Sequence, residues 1–474
     1  MFDNRCHRAR HAKPGSFATS PQAYNLSEIG AAVTIGMTCT KRQLAACRSA
    51  PIDRCRRSFP YIRERNTAVN SPPTHEIWIR RMPWGVVVLA AAITSLGLVA
   101  IARGQELAEA RERFLSQQLI WCGVAAGAMV VAAVPNFRRL ARFATLAYFF
   151  VLALLLAVYF FPPVNGAHRW IKFAGLTLQP SEFAKLATIA SLAAWARYRE
   201  PVIGLKGLAA PLALAALPCL LILREPNLGS ALVFPPVALA MLFAAGARAI
   251  DLAKVAAIGI VLAPLMWTQM SREQRSRIVA LGRQNPPEVS PTADGYQLHQ
   301  AKQVLALGGV WGSYLGREPT DDAWAYRLPE DHTDFVFSIV GERFGWFGMA
   351  ILLNLYTALV AEIVRVATRT CEPFGRLLTF GVAAMFAAQA TINTGMTVGL
   401  LPITGVGLPL VSYGGSSLVA HAVALGLVVN VGLRPGYEVI DFQVWRSDRK
   451  SEVSTRHSCF VETGRLEAEE TAAR

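Results

Sequence analysis

Read for its apolar runs, the chain is a polar N-terminal stretch followed by ten segments that each suit a membrane-crossing helix. Long runs lie near 84–101, 115–134, 143–161, 205–223, 228–246, 250–268, 335–361, 377–398 and 413–433, and a shorter one lies near 180–196. A helix needs about 20 apolar residues to cross roughly 30 Å of hydrocarbon, and most of these runs reach that length. The pattern predicts an all-α, polytopic membrane domain over 83–434, between an N-terminal extension at 1–82 and a C-terminal tail at 435–474. Residues 1–82 contain no spanning run and carry fourteen Lys and Arg against five Asp and Glu, so they read as a disordered basic extension. Met82 stands immediately before the first run and is a candidate start.

Charge placement adds an orientation. The chain has 474 residues, is 53% hydrophobic and 17% charged, and has a mean hydropathy of +0.34, where a soluble domain is about a quarter charged. A net charge of +15 would suggest nucleic acid in a soluble protein. Here the basic residues occupy the tail and the short loops, so they read as topology determinants and lipid-surface contacts, with no nucleic-acid partner. With a cytoplasmic N-terminus the inside loops carry eleven Lys and Arg, among them Arg138, Arg139 and Arg142, while the short outside loops carry six. That bias predicts both termini in the cytoplasm and an even number of helices. Three uncommon loops then face outside: 162–180, the long segment 269–334, and 399–412 with the Gly-Gly-Ser-Ser after it. A loop of that length among short turns is usually functional.

Candidate chemistry gathers on the same face. Pro180, Ser181 and Glu182 open the short fourth run, with Lys185 one turn further on the same helix face. This suits an ordinary helix start with a local ion pair, and it equally suits charges lining a cavity, because an intramembrane charge costs about 3 kcal/mol. His332-Thr333-Asp334 ends the long loop. Thr333 or Asp334 fits the N-cap of the next helix, and a carboxylate there also fits a general base toward a hydroxyl. Gly414-Gly415-Ser416-Ser417 sets backbone N–H groups and hydroxyls at a helix start, where an anion is favoured. Arg169 and Trp170 place a cation and an aromatic at the interface, and Trp170 alone would be a normal interfacial anchor. The eight cysteines and eight histidines show no metal-ligand spacing, and no nucleotide-binding loop or GxSxG elbow occurs.

Six blocks in order carry a family resemblance: GAHRWI at 166–171, LQPSEFAKLA at 178–187, EPNLGSALV at 225–233, GYQLHQAK at 295–302, LPEDHTDFVFSIVGE at 328–342 and NTGMTVGLLPITGVGLPLVSYGGSSL at 393–418. From about residue 84 to 433 the chain resembles the SEDS family (shape, elongation, division and sporulation) that includes RodA, FtsW and SpoVE. The resemblance implies a ten-helix peptidoglycan glycosyltransferase that joins lipid II units into glycan and works with a class B penicillin-binding protein. It implies Asp334 as the essential acid and Glu182 and Lys185 as the charged pair of the substrate site. Two positions depart from the family pattern: Asn227 stands where Asp is usual, and Arg343 where a second Glu is usual. The NTGM block leans toward the elongation type.

On these terms the expected reaction is inverting transfer at the outer face of the cytoplasmic membrane. Asp334 would take the proton from the acceptor 4-hydroxyl, with release of undecaprenyl pyrophosphate. Arg169, Trp170, Glu182, Lys185, His332, Gly414, Gly415, Ser416 and Ser417 are the expected substrate contacts. A divalent cation, Mg or Mn, is expected on the phosphates without an all-protein cage. The alternatives are a division-specific polymerase of the FtsW type, a lipid II flippase and a non-catalytic scaffold for the penicillin-binding partner.

Overall fold

The computed structural model describes residues 81–107, 114–162, 168–173, 176–197, 199, 204–225, 227–270, 272–282, 294–314 and 333–436. The basic extension before residue 81, His332 and the tail after residue 436 lie outside them. Thirteen helices and one small hairpin follow in order among the described residues: α1 (Trp84–Leu107), α2 (Phe114–Ala133), α3 (Phe137–Ala157), β1 (Ile171–Phe173), β2 (Leu176–Leu178), α4 (Pro180–Ala196), α5 (Gly204–Arg224), α6 (Leu228–Leu232), α7 (Phe234–Ala244), α8 (Ala249–Gln269), α9 (Arg272–Gly282), α10 (Asp294–Gly308), α11 (Val336–Arg369), α12 (Pro373–Val398) and α13 (Gly415–Leu433).

All ten predicted runs are helical. Seven of them are long and apolar enough to cross a membrane, and the protein is a multi-pass membrane protein. The sixth run is divided at Val233, because Pro235 and Pro236 cannot donate the backbone bonds that would join α6 to α7. α4 has 17 residues, about 26 Å of helix, and is buried at nearly every position from Pro180 to Ala193. With α12 and α13 it forms the centre of the bundle. The outer helices turn large apolar side chains outward, among them Phe143 and Phe149 on α3 and Ile260 and Val261 on α8. Lipid is the natural solvent for such a surface.

Successive spans alternate in direction, so the turns before α2, α4, α6, α11 and α13 meet at one end of the bundle. The opposite end is tied by polar caps. Asn430 donates to Ala132 O at 2.8 Å and Arg434 donates to Ala133 O and Val134 O at 3.2 and 2.7 Å, closing the last carbonyls of α2 with a cation where the helix dipole favours one.

The segment 269–334, expected as a loop, holds α9 and α10. α10 buries Leu298, Ala301 and Val304, spaced three apart on one face, against α11 and α12. At its end Gly308 lies so close to the Gly341 carbonyl that a Cβ has no room. α11 is 34 residues long and is broken at Gly345 (φ 65°, ψ −161°). The break is not left open: Ser313 N–H donates to Glu342 O at 2.9 Å, Tyr314 N–H to Arg343 O at 3.1 Å, and Trp346 N–H to Gly309 O at 3.0 Å. A broken helix is tolerated in a bilayer only when its freed backbone groups find partners in this way. Glu342, just before the break, takes both Nε and Nη2 of Arg103 at 3.2 and 3.0 Å, joining α1 to α11. Arg343 stacks over the Tyr314 ring at 5.0 Å, so the unusual cation finds an aromatic partner.

Gly345 occupies a backbone region that essentially only glycine adopts, with Val310 O against the position of a Cβ. Gly345→Ala is expected to destabilise the protein by about 1–3 kcal/mol or more, read as a lower thermal unfolding midpoint in detergent. Gly127→Ala in α2, where a Cβ meets open space, is the control and should be neutral or slightly stabilising.

Candidate active site

The segment between α12 and α13, expected as an outer loop, folds back into the bundle. Ile403, Val406, Leu408, Leu410 and Val411 are all buried. Apolar residues at that spacing favour burial, and side chains meet the backbone cost. Asn393 Nδ2 donates to Val406 O at 2.7 Å, the Tyr356 hydroxyl donates to Pro409 O, Ser412 Oγ accepts from Leu408 N–H at 2.7 Å, and Gln118 bridges Ser412 O and Gly414 N–H. Leu410 is held at φ 67°, a strained conformation for a non-glycine residue.

Asp334 stands against this re-entrant segment. A Cβ on Gly405 would lie 3.4 Å from Asp334 Oδ2 and 3.8 Å from Arg277 Nη1, in ordinary contact with both, so the two groups approach the segment at the same point. Gly405 itself has φ 70°. The Asp334 carbonyl accepts from Asn393 Nδ2 at 2.8 Å, the same amide that holds Val406. One asparagine thus ties the end of the long loop to the re-entrant segment. The N-cap position of α11 is Phe335, one residue after Asp334. The Asp334 side chain is half-buried, dry enough to strengthen its charge interactions and still open to a ligand.

A second cluster lies at the same end. Glu182 Oε1 accepts from Lys185 Nζ at 2.7 Å and Glu182 Oε2 accepts from Ser417 Oγ at 3.1 Å. Both charged side chains are buried. His421 Nδ1 lies 2.7 Å from Ser417 O and 3.4 Å from Ser417 Oγ, and its Nε2 lies 2.7 Å from Gln389 Oε1. Ser416 Oγ is buried and accepts or donates no hydrogen bond among the described residues. Gly415 packs flat on Trp121 with no room for a Cβ. At this helix start the Gly414 N–H is bound to Gln118 and the Ser417 hydroxyl to Glu182, leaving the Ser416 hydroxyl and the later N–H groups for an anion.

Asn227 links the two clusters. It donates to Ser181 Oγ at 3.4 Å, and its Oδ1 accepts from Ser230 N–H at 3.3 Å, capping α6. As the cap an asparagine accepts as well as an aspartate, which accounts for its tolerance here, whereas the donation to Ser181 is open to the amide alone. Gly229 next to it packs directly on Thr404 O and Val406, the residues that flank Gly405.

Arg169 is placed apart from Lys185. Its Nε donates to the Glu225 carbonyl at 3.4 Å, fastening the β1–β2 side to the turn after α5. Trp170 beside it is half-buried, as an interfacial aromatic would be. The structure thus groups Glu182, Lys185 and Ser417, sets Asp334 with Gly405 and Arg277, and keeps Arg169 and Trp170 at the rim. Sequence reading missed Arg277, Asn393, Gln389, His421 and Glu225. Asn393 lay inside a recognised block, and a histidine in the middle of an apolar run was a visible signal for His421.

These features define a class: a polytopic α-helical membrane protein with a half-buried carboxylate and a buried cation at one end of the bundle. Residues 81–434 match the family FTSW_RODA_SPOVE, described as cell cycle protein. The chain belongs to that family. A relative from Geobacter metallireducens, described as "Probable peptidoglycan glycosyltransferase FtsW", is 35% identical over 367 residues, covering 75% of this chain and 96% of its own length. The similarly described Bacillus subtilis protein is 32% identical over 60% of this chain and 71% of its own length. Among solved structures, a chain from work on "structural coordination of polymerization and crosslinking by a peptidoglycan synthase complex" is 30% identical with a TM-score of 0.62, over 74% of this chain and 97% of that one. The Thermus thermophilus rod shape determining protein RodA is 28% identical with a TM-score of 0.56, over 75% and 97% of the two chains.

Glu225, in the turn after α5, is fully buried, and neither carboxyl oxygen has a hydrogen-bond partner among the described residues. Burial pushes its pKa up from 4.5 to about 8, opposed by the nearby Arg169 charge. The folded protein therefore holds a proton there that the unfolded chain releases near pH 4.5, and stability falls as pH rises from that value. Glu225→Gln is expected to remove this loss between pH 4.5 and about pH 8, measured by thermal unfolding across that range.

Proposed function

We propose that the protein is a peptidoglycan glycosyltransferase that polymerises lipid II into glycan strands, with Asp334 as general base. The observation that carries the reading is the Asp334 carboxylate, half-buried beside Arg277 on a rigid re-entrant platform and outside the N-cap position of α11. The names of the relatives and the family support the substrate class. In this reading Asp334 removes the proton from the acceptor 4-hydroxyl, whose oxygen attacks the donor's anomeric carbon with inversion. Undecaprenyl pyrophosphate leaves. Its developing charge is met by Lys185, Arg169 and the start of α13, with Trp170 at the rim and His332 as a further substrate contact.

A divalent cation in this reading arrives on the substrate's phosphate oxygens. Among the described residues no group of three or more His, Cys, Asp or Glu could cage one, so no step is assigned to it. A class B penicillin-binding protein is the proposed partner, supported by the likeness to a chain of a complex that both polymerises and crosslinks; co-purification in mild detergent tests it. The NTGM block at 393–396 favours an elongation role, and the likeness to RodA accords with it. The division role is the second reading, favoured by relatives described as FtsW. Localisation of a fluorescent fusion to the side wall or to the septum decides between them.

The proposed orientation puts Asp334 outside the cytoplasmic membrane and both termini inside. Single cysteines at Ser290 and near the C-terminus of a cysteine-free version should differ, only the first reacting with an impermeant maleimide in intact cells.

The central test is reconstitution with labelled lipid II and no nucleotide, read as glycan ladders on a gel, with a chelator arm for the cation. Asp334→Asn should lower polymerisation by about 10²- to 10⁴-fold, the range of general-base contributions, while folding and lipid II binding persist. Asp331→Asn, three positions earlier, should polymerise normally. Near-normal ladders from Asp334→Asn would remove it from the chemistry.

A further inference from the structure

His421 is a titratable side chain fully inside the bundle that the reaction above does not use. Its surroundings are specific on every side. The ring meets Phe386 edge-on at 5.3 Å, Nδ1 sits 2.7 Å from Ser417 O, and Nε2 sits 2.7 Å from the Gln389 amide. A carbonyl can only accept, so Nδ1 carries the proton. Gln389 Oε1 faces Nε2 at 2.7 Å, so with Nδ1 protonated the neutral ring requires this amide turned end for end, its NH₂ toward Nε2.

The tautomer fixes the direction of the neighbouring bonds. The Nδ1 proton is shared between the Ser417 carbonyl at 2.7 Å and, as the weaker branch, Ser417 Oγ at 3.4 Å, and the hydroxyl's own proton is left for Glu182 Oε2 at 3.1 Å. Lys185 donates to the other oxygen of the same carboxylate at 2.7 Å. Donors from α4 and α13 therefore converge on Glu182. Without His421 the Ser417 hydroxyl is free to turn to the Gly414 carbonyl three residues earlier, at the N-cap of α13. Glu182 would then keep only Lys185.

We propose that His421 is a positioning residue that, through Ser417, fixes Glu182 and so holds Lys185 in place for the diphosphate of the substrate. The inference rests on the proposed function and deepens it by naming what aligns the lysine.

Two amide substitutions separate this role from packing. In His421→Asn the side-chain NH₂ lies near the place of Nδ1, whereas in His421→Gln it reaches toward the place of Nε2 and Gln389. His421→Leu and His421→Gln are expected to raise KM for lipid II about tenfold with a smaller change in kcat, the size of losing a bond to a charged group. His421→Asn should stay near the original KM. In the Ser417→Ala background His421→Leu should add nothing further. The second readout needs no activity: the rate at which a small amine-reactive reagent modifies Lys185, followed by mass spectrometry. It should rise in the Leu and Gln variants and stay low in the Asn variant.

Rescue by Gln as good as by Asn, or additive effects of the Leu and Ala changes, would overturn the proposal. If the Leu variant does not accumulate, the Asn and Gln pair gives the same decision. If the unmodified protein makes no glycan, the polymerase reading fails by itself, and the Lys185 modification rates still decide whether His421 positions the pair.

Discussion

The backbone between Thr404 and Gly414 buries most of its side chains in the bundle, and wherever it leaves water its polar groups must be met by protein. An unmet group in hydrocarbon costs several kcal/mol. Asn393, Tyr356, Ser412 and Gln118 supply the partners one by one. Those same side chains remove the freedom of the segment, and Leu410 is kept in a left-handed conformation as a result. Rigidity here is the consequence of satisfying hydrogen bonds, and the candidate site inherits it. Asp334 is positioned because its carbonyl shares Asn393 with Val406.

The same accounting explains the broken helix. α11 changes direction at Gly345, and three backbone hydrogen bonds with the segment after α10 close the groups that the break sets free. The long loop is therefore structural on one side and chemical on the other. Its α10 is a packed helix, and its far end delivers Asp334. A similar division holds for the buried charges. Arg103 with Glu342 is bidentate and ties α1 to α11, whereas Glu182 pairs with Lys185 on its own helix and reaches α13 only through the Ser417 hydroxyl. Burying an ion pair is seldom a net gain in stability.

Departures from a family pattern can be read in these terms. Asn227 keeps the cap of α6 and a bond to Ser181, so the loss of a charge there leaves the local structure intact. Arg343 has its guanidinium on Tyr314 and leaves Glu342 alone to bind Arg103.

The ten helical runs, the short fourth helix and the pairing of Glu182 with Lys185 were legible in the sequence, since each depends on residues close together in the chain: apolar run length, a proline at a helix start, an i, i+3 spacing. The blocks that carry the family resemblance were legible for the same reason. The re-entrant path of 399–414, the helix α10 packed on α11, and the meeting of Arg277 with Asp334 were not, because each is decided by contacts between segments far apart in the chain. His421 shows the limit most clearly. Its place in an apolar run was visible, but only the packing of α12 and α13 brings Gln389 and Ser417 to its two nitrogens, and hydrogen-bond direction is set by that geometry alone.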